Sequence, residues 1–329
     1  MNREICHCIY CNTAEDLSES DIIPDFMTNG KMLNKRVCHV THNSQFSDDF
    51  ENYVYEKLKF LLNQLDIKSS KANYYPSFDS EIKIDDITYE LKNIRSENEA
   101  FRRPVTWNKG KEKMAAFGDP KVIEKIAASK SSDNIKVEEL DINDKKVSFI
   151  VHGNLDVFYS QYMFRTVAKI AYEWYCVRNN IDGMHDEFRE IIDYIANGFY
   201  NGDDRVSLVA DYNVIKKFCE VENSGGHLLV LYVDNKGGIS ALVYLLSVVL
   251  YNVKICDSIP DFTTYNCLIQ HIRIDGKGNK EQDCIKYMDY SKLDVAFIDV
   301  TSDAQSLLLD NSFESTLVPV TNVVKIAST

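Results

Sequence analysis

Positive charge is scarce in this sequence: 37 Lys and Arg stand against 50 Asp and Glu, a formal net charge of −13. An acidic chain repels nucleic acid as a whole, so any contact with a phosphate backbone must use a local basic patch. Long apolar runs are missing as well. The most apolar stretch, Ile239 to Val253, is too short to span a bilayer, and no membrane partner is expected. The N-terminus, Met-Asn-Arg-Glu-Ile-Cys, has no apolar h-region, so no signal peptide is expected and the chain reads as cytoplasmic. There is no internal repeat, no low-complexity tract and no G-x-S-x-G nucleophile context. Gly276-Lys277-Gly278-Asn279-Lys280 lacks Walker spacing and reads as a hairpin turn. His152, His185, His227 and His271 are too far apart in sequence to assemble into a site by inspection. Nothing sets an oligomeric state.

The composition, 45% hydrophobic and 26% charged, is that of a folded protein, and 329 residues suffice for one large domain or two ordinary ones. One local exception to the acidic balance exists. From Leu91 to Lys130, ten Lys and Arg face five Asp and Glu, a local +5 that includes Arg102, Arg103, Lys109, Lys111 and Lys113 beside Phe101 and Trp107. This segment, 91–130, is the candidate DNA-contacting surface, with a solvated loop and helix face as the plainer alternative.

Of nine cysteines, Cys176, Cys219, Cys256, Cys267 and Cys284 are scattered among apolar runs, where cysteine behaves as a small hydrophobe. Cys6, Cys8, Cys11 and Cys38 cluster near the N-terminus, which argues for metal. Cys8-Ile9-Tyr10-Cys11 is a C-x2-C knuckle and Cys38-His39-Val40-Thr41-His42 a C-x3-H pair. Between them lie 26 residues, room for a β-hairpin. Cys8, Cys11, Cys38 and His42 are therefore expected to hold structural Zn²⁺, a closed site with no open position for catalysis. Cys6 can replace Cys8, and His39 can replace His42. C-x2-C spacing favours Cys8, and the Asn43 that follows favours His42.

The pattern predicts an α+β protein. The first part, residues 1–66, reads as a knuckle, a strand-like Asp21-Ile22-Ile23-Pro24, a Gly30 loop, a second knuckle and a helix capped by Ser47. In that helix Phe50, Val54, Leu58, Leu61, Leu62 and Leu65 recur at helical spacing. Lys68 to Lys71 reads as a linker. The rest, 67–329, is expected to be a larger mixed α/β domain. It has a hairpin around Asp85-Asp86, a short helix at Val122 to Ser129, and a strand pair Ile135–Leu140 and Val147–Val151. An amphipathic helix follows over Ser160–Arg178, then one around Phe188–Ile195 closed by Gly198. Strands are expected at His227–Val233, Ile239–Val249, Val253–Cys256, Ile272–Ile274, Ile285–Tyr290 and Val295–Val300.

The N-terminal residues resemble a known family. The knuckle, then Leu17-Ser18-Glu19-Ser20-Asp21-Ile22-Ile23-Pro24, then Gly30, Val37-Cys38 and His42-Asn43-Ser44-Gln45-Phe46 are similar in order to the zinc-knuckle branch of HNH endonucleases. There, a pattern like L-[ST]-x-E-H-I-I-P sits between two knuckles. The resemblance implies a ββα-metal module that hydrolyses DNA with one catalytic Mg²⁺ or Mn²⁺, a strand-end histidine acting as general base. Carried over, Asn43 matches the helix-side metal position and Asn34 lies near the middle asparagine, offset by one. The histidine position is Asp21 and the preceding acidic position is Ser20. Aspartate ordinarily titrates near about 3.9, and losing a general base costs on the order of 10²–10⁴ in rate. Glu19 or His39 is then an alternative base. A module that has lost turnover and serves as a zinc-stabilised nucleic-acid-binding or regulatory unit is the competing expectation. Asp79 with Glu90-Leu91-Lys92 superficially resembles a PD-(D/E)xK core, a short match that arises often.

Overall fold

The computed structural model describes residues 6–28, 32–68, 75–85, 87–94, 103–106, 113–117, 128, 136–140, 146–150, 155–198, 205–221, 226–272, 285–286 and 324–328. Of the expected helix at 122–129 only residue 128 is described, as helical, and the expected strand at 295–300 lies outside these residues, as does most of the basic segment 91–130. The chain divides into two compact units, one of residues 1–58 with 155–310, the other of residues 59–154 with 311–329. Antiparallel sheets and helices occur together in the described residues, so the α+β expectation holds.

In the first unit, β1 (Leu17–Asp21) and β2 (Leu33–Cys38) form an antiparallel pair, with Ser20 opposite Asn34 and Asp21 opposite Leu33. The strand is Leu17–Asp21; the expected Asp21–Pro24 strand begins where the observed one ends. A helical run follows directly. It opens with wide π-type turns over His39–Ser44 and Ser47–Glu51 and becomes the regular helix α1 over Asn52–Gln64. Ser47 is therefore inside the run and caps nothing. Helical winding has to begin at His39 because Cys38 and His42 must approach each other, and one turn brings residues four apart onto one face. Phe46, Phe50, Val54 and Leu58 form the buried stripe.

The second half of this unit is built on α2 (Gln161–Arg178), capped by Ser160, whose Oγ accepts from the Met163 amide at 3.2 Å. This helix was expected to be amphipathic. Instead, nearly every residue from Met163 to Cys176 is buried, because both of its sides are covered. On one side Tyr172 Oη donates to the Ile9 carbonyl at 2.8 Å. On the other, Trp174 Nε1 donates to Gln270 Oε1 at 2.6 Å and the Phe164 and Tyr251 rings meet at 6.0 Å. Helix α3 (Arg189–Asn197) ends at Gly198, whose φ of +91° suits glycine.

A six-stranded sheet completes the unit, in the order β14-β13-β10-β11-β12-β9. Its strands are β9 (Val206–Leu208), β10 (His227–Val233), β11 (Ile239–Leu245), β12 (Val249–Cys256), β13 (Leu268–Ile272) and β14 (Ile285–Lys286), all antiparallel. Helix α4 (Tyr212–Val221), not foreseen from sequence, lays Val214 and Phe218 against Leu228, Val230, Leu242 and Tyr244. The central strands are thus buried on both faces, which is why they read as continuous apolar runs. The run expected as one strand to Val249 breaks at Leu246 and Ser247, whose φ angles of 56° and 55° are left-handed. The buried His227 ring stabilises that turn, accepting the Leu246 amide at Nδ1 and bonding the Met27 carbonyl through Nε2.

The second unit is a seven-stranded sheet of order β7-β15-β6-β5-β4-β3-β8. It contains β3 (Phe78–Ile84), β4 (Ile87–Ile94), β5 (Arg103–Thr106), β6 (Lys113–Phe117), β7 (Lys136–Leu140), β8 (Val147–Ile150) and β15 (Val324–Ser328). The β3–β4 hairpin turns at Asp85 as expected, and its register sets Asp79 opposite Lys92 and Glu81 opposite Glu90. The strands at 136–140 and 147–150, expected to pair with each other, lie at opposite edges: β7 pairs with β15 and β8 with β3. A short turn signal between two strands does not by itself decide their pairing. Among the described residues no helix is long and apolar enough to cross a membrane.

Candidate metal centre and the strand-end site

The first knuckle is a tight turn. The Cys8 amide bonds the Thr13 carbonyl at 2.7 Å, the Asn12 amide bonds the Cys8 carbonyl at 2.9 Å, and Asn12 takes a left-handed φ of 65°. The Ile9 amide then bonds the Arg36 carbonyl at 2.9 Å, tying this turn to β2. Amides of Tyr10 and Cys38 both donate to Cys8 Sγ at 3.4 Å, an arrangement that stabilises sulfur bearing negative charge.

Cys38 ends β2 and His42 sits one turn into the helical run. Cys11 Sγ and Cys38 Sγ are 3.5 Å apart, Cys8 Sγ and His42 Nδ1 are 3.5 Å apart, and all four ligand atoms lie within 4.8 Å of one another. Tetrahedral zinc, with bonds of about 2.3 Å to sulfur and 2.0–2.1 Å to nitrogen, requires ligand separations of roughly 3.5–3.8 Å. The set Cys8, Cys11, Cys38 and His42 can therefore bind a metal such as zinc. Among the described residues it is the only group of three or more His, Cys, Asp or Glu side chains that converges in this way. Cys6 and His39, the alternatives left open by the spacing, are exposed and outside it.

Electrostatics agree with a metal-dependent centre. Burial pushes the Cys38 thiol far up, with the neighbouring Cys8 and Cys11 adding to it, and burial raises Cys8 also. Burial lowers His42, favouring the neutral imidazole that a metal needs. Three crowded sulfurs become thiolates readily only beside a cation. The Tyr10 ring shields the cluster, 5.1 Å from the His42 and Phe46 rings and 5.4 Å from Tyr172.

Behind this centre lies a buried polar network that sequence reasoning missed. Glu173 of α2 is fully buried, and its Oε1 accepts from Tyr10 Oη at 3.0 Å and from Ser20 Oγ at 3.2 Å. Lys169, one turn earlier and 1% exposed, donates from Nζ to the Asp21 carbonyl at 2.8 Å. The same ammonium is 3.0 Å from Glu51 Oε1 and 3.8 Å from Glu173 Oε1. Burial raises Glu173 to about 7, against the opposing pull of Lys169, Ser20 and Tyr10. For Lys169, burial disfavours the ammonium, but the charges of Glu173 and Glu51 outweigh it and its pKa is raised. The available signal was the Lys169–Glu173 pair at i and i+4 inside an otherwise apolar helix, which is costly unless each charge has a buried partner.

The residues singled out by sequence are distributed around β1. Asp21, half-buried, is its last residue. Asn43 Nδ2 donates to Ser18 Oγ and to the Glu19 carbonyl, each at 3.2 Å, so this amide is clamped to the strand that Asp21 ends. Asn34 is buried and turns inward, its Oδ1 accepting the Arg36 amide at 2.9 Å, while its Nδ2 has no hydrogen-bond partner. Glu19 is exposed and pairs with Lys35 at 3.5 Å. Asn43 and Asp21 are thus brought to one strand, whereas Asn34 and Glu19 are engaged within the hairpin. No protein-family model, curated protein or solved structure matches the chain, so the site is read from its own geometry.

Proposed function

We propose that the chain is an HNH-type endonuclease that hydrolyses DNA phosphodiester bonds. Its zinc cluster serves as scaffold, and a catalytic Mg²⁺ or Mn²⁺ is held at the strand end. The observation that carries this reading is the clamp on Asn43. Because the Glu19 carbonyl can only accept, the Asn43 nitrogen must face it, and the amide oxygen is directed away from the strand. A fixed amide oxygen on the helical run and a carboxylate at the end of the strand it is clamped to are both hard oxygen donors of the kind a divalent cation takes. Such an ion is commonly held by one or two protein ligands, with water and substrate phosphate oxygens supplying the rest.

When bound, the cation would stabilise charge on the scissile phosphate and the leaving oxygen. The chain's own part is to supply Asp21 in the base or metal position, Asn43 as the helix-side ligand, and a rigid zinc-held frame for both. Aspartate is intrinsically a weaker base than histidine by more than two pKa units, so turnover is expected to be slow. The segment 91–130, locally basic in an acidic chain, is the proposed DNA contact. Incubation of supercoiled plasmid with purified protein and Mn²⁺ or Mg²⁺ tests this. Nicking by the wild type should fall on the order of 10²-fold or more in Asp21→Ala and in Asn43→Ala. Full activity in Asp21→Ala would remove Asp21 from the site. A second reading, a zinc-stabilised nucleic-acid-binding or regulatory module without turnover, is favoured by the inward engagement of Asn34 and the Glu19–Lys35 pair.

A further inference from the structure

We infer that Lys169 is a positioning residue for the strand-end site, clamping the end of β1 to the helical run that carries Asn43. The inference rests on the endonuclease reading and extends it to a residue 148 positions along the chain from Asp21.

Three directions around the Lys169 ammonium are occupied. One leads to the Asp21 carbonyl at 2.8 Å, one to Glu51 Oε1 at 3.0 Å, and one toward Glu173 Oε1 at 3.8 Å. An ammonium has three donors, and at 1% exposure it has no path to a phosphate, so direct action on substrate is excluded. The identity of its partners is informative. It grips the main-chain oxygen of Asp21 itself, the last residue before the chain leaves the strand, so it fixes the peptide from which the carboxylate projects. Glu51 lies on the same helical run as Asn43, eight residues further on, or about two turns. Lys169 therefore bridges the two elements that present the proposed metal donors and sets the distance between them. Glu173 anchors the bridge from below, through Ser20 on the strand and Tyr10 in the knuckle. Donors on separate elements must be held to within a fraction of an ångström, and a misplacement of about 1 Å can cost on the order of 10²-fold in rate.

The test compares Lys169→Met, Lys169→Arg and Glu51→Gln with the wild type in the Mn²⁺-dependent nicking assay. Zinc content and cooperative unfolding serve as controls of the scaffold. In Lys169→Met the expected result is retained zinc, an unchanged KM for DNA, a kcat reduced on the order of 10²-fold, and weaker Mn²⁺ binding, read without turnover by electron paramagnetic resonance of free Mn²⁺ and as a higher Mn²⁺ concentration for half-maximal rate. Lys169→Arg, which keeps the charge, should recover most of the loss. If Lys169→Met does not fold, Glu51→Gln probes the same bridge and should raise the Mn²⁺ requirement. A folded, zinc-loaded Lys169→Met or Glu51→Gln that cuts at the wild-type rate with the wild-type Mn²⁺ requirement overturns the clamp alone. A wild type that never cuts overturns the endonuclease reading and the clamp with it.

Discussion

The Cys3His cluster and the proposed strand-end site share one small ββ-helix region, yet they are assembled by different means. All four cluster ligands come from two local turns, Cys8 with Cys11 and Cys38 with His42, and the two turns are joined within the first forty residues by the Cys38 amide on Cys8 Sγ and the Ile9 amide on the Arg36 carbonyl. At the strand end only Asp21, Ser20 and Asn43 are local. Their surroundings come from α2, through Lys169 and Glu173, more than 140 residues further on. The ligand set is complete within these residues, and α2 adds hydrogen bonds to the residues between Cys8 and Cys11, through Tyr172 and Glu173. The proposed strand-end site takes its surroundings from elsewhere, from the buried helix α2.

The largest effect should come from breaking the local site. Cys11→Ser or Cys38→Ser should reduce bound zinc from about one per chain to near none. The metal's contribution to folding, roughly 10–16 kcal/mol apparent in zinc-finger peptides, would be lost from the first sixty residues. Metal analysis and limited proteolysis read both. Retained zinc in either variant would undo the assignment of that ligand.

Next comes the buried acid of the long-range site. Glu173 is raised from 4.5 to about 7, so the folded chain takes up a proton that the unfolded chain does not between those pH values. The stability associated with that proton is present below about pH 4.5 and is lost as the pH rises through 7, a change of about 3 kcal/mol. Glu173→Gln, which keeps an oxygen to accept from Tyr10 and Ser20, should flatten this slope and exceed the wild type in denaturant midpoint at pH 8. A variant that parallels the wild type from pH 5 to 8 would show that Glu173 does not titrate there.

Tyr10→Phe sharpens the comparison further, because it touches both sites. It leaves the metal ligands intact and removes a buried donor to a charged acceptor, a loss of about 1–3 kcal/mol in thermal or denaturant unfolding with full zinc occupancy. Loss of zinc in this variant would mean that the two sites are less separable than the geometry implies. The smallest effect belongs to Glu19→Gln. Its partner Lys35 is exposed, so stability should change by less than about 0.5 kcal/mol. Nicking should also be unaffected; a large loss of nicking would move the base role from Asp21 to Glu19.

The same contrast explains what could be read in advance. Cysteine spacing is a local code, and it delivered the ligand set, the hairpin between the knuckles and the helix that follows. Local periodicity likewise delivered the helix expected over Ser160–Arg178 and found over Gln161–Arg178, the helix end at Gly198 and the hairpin at Asp85. Pairing at a distance was not legible. The strands at 136–140 and 147–150 went to opposite edges, and α4 was not foreseen although Val214, Ile215 and Phe218 recur at helical spacing and pack on the sheet. The division at residue 66 followed the linker-like Lys68–Lys71, whereas the contacts group residues 1–58 with 155–310. Lys169 and Glu173 were read as part of an amphipathic helix, since a charge inside an apolar run looks solvent-facing until its partner, 148 or 153 residues away, is known.

The central claim is that Asp21 supports cleavage in the position where the resemblance places a histidine. It is tested most directly by Mn²⁺-dependent nicking of plasmid DNA by zinc-loaded wild type beside Asp21→His. The account predicts slow but measurable cutting by the wild type that Asp21→His accelerates, since imidazole is the stronger base. A wild type that leaves the plasmid intact while Asp21→His cuts it would contradict the account and mark the strand end as a site that has lost its chemistry.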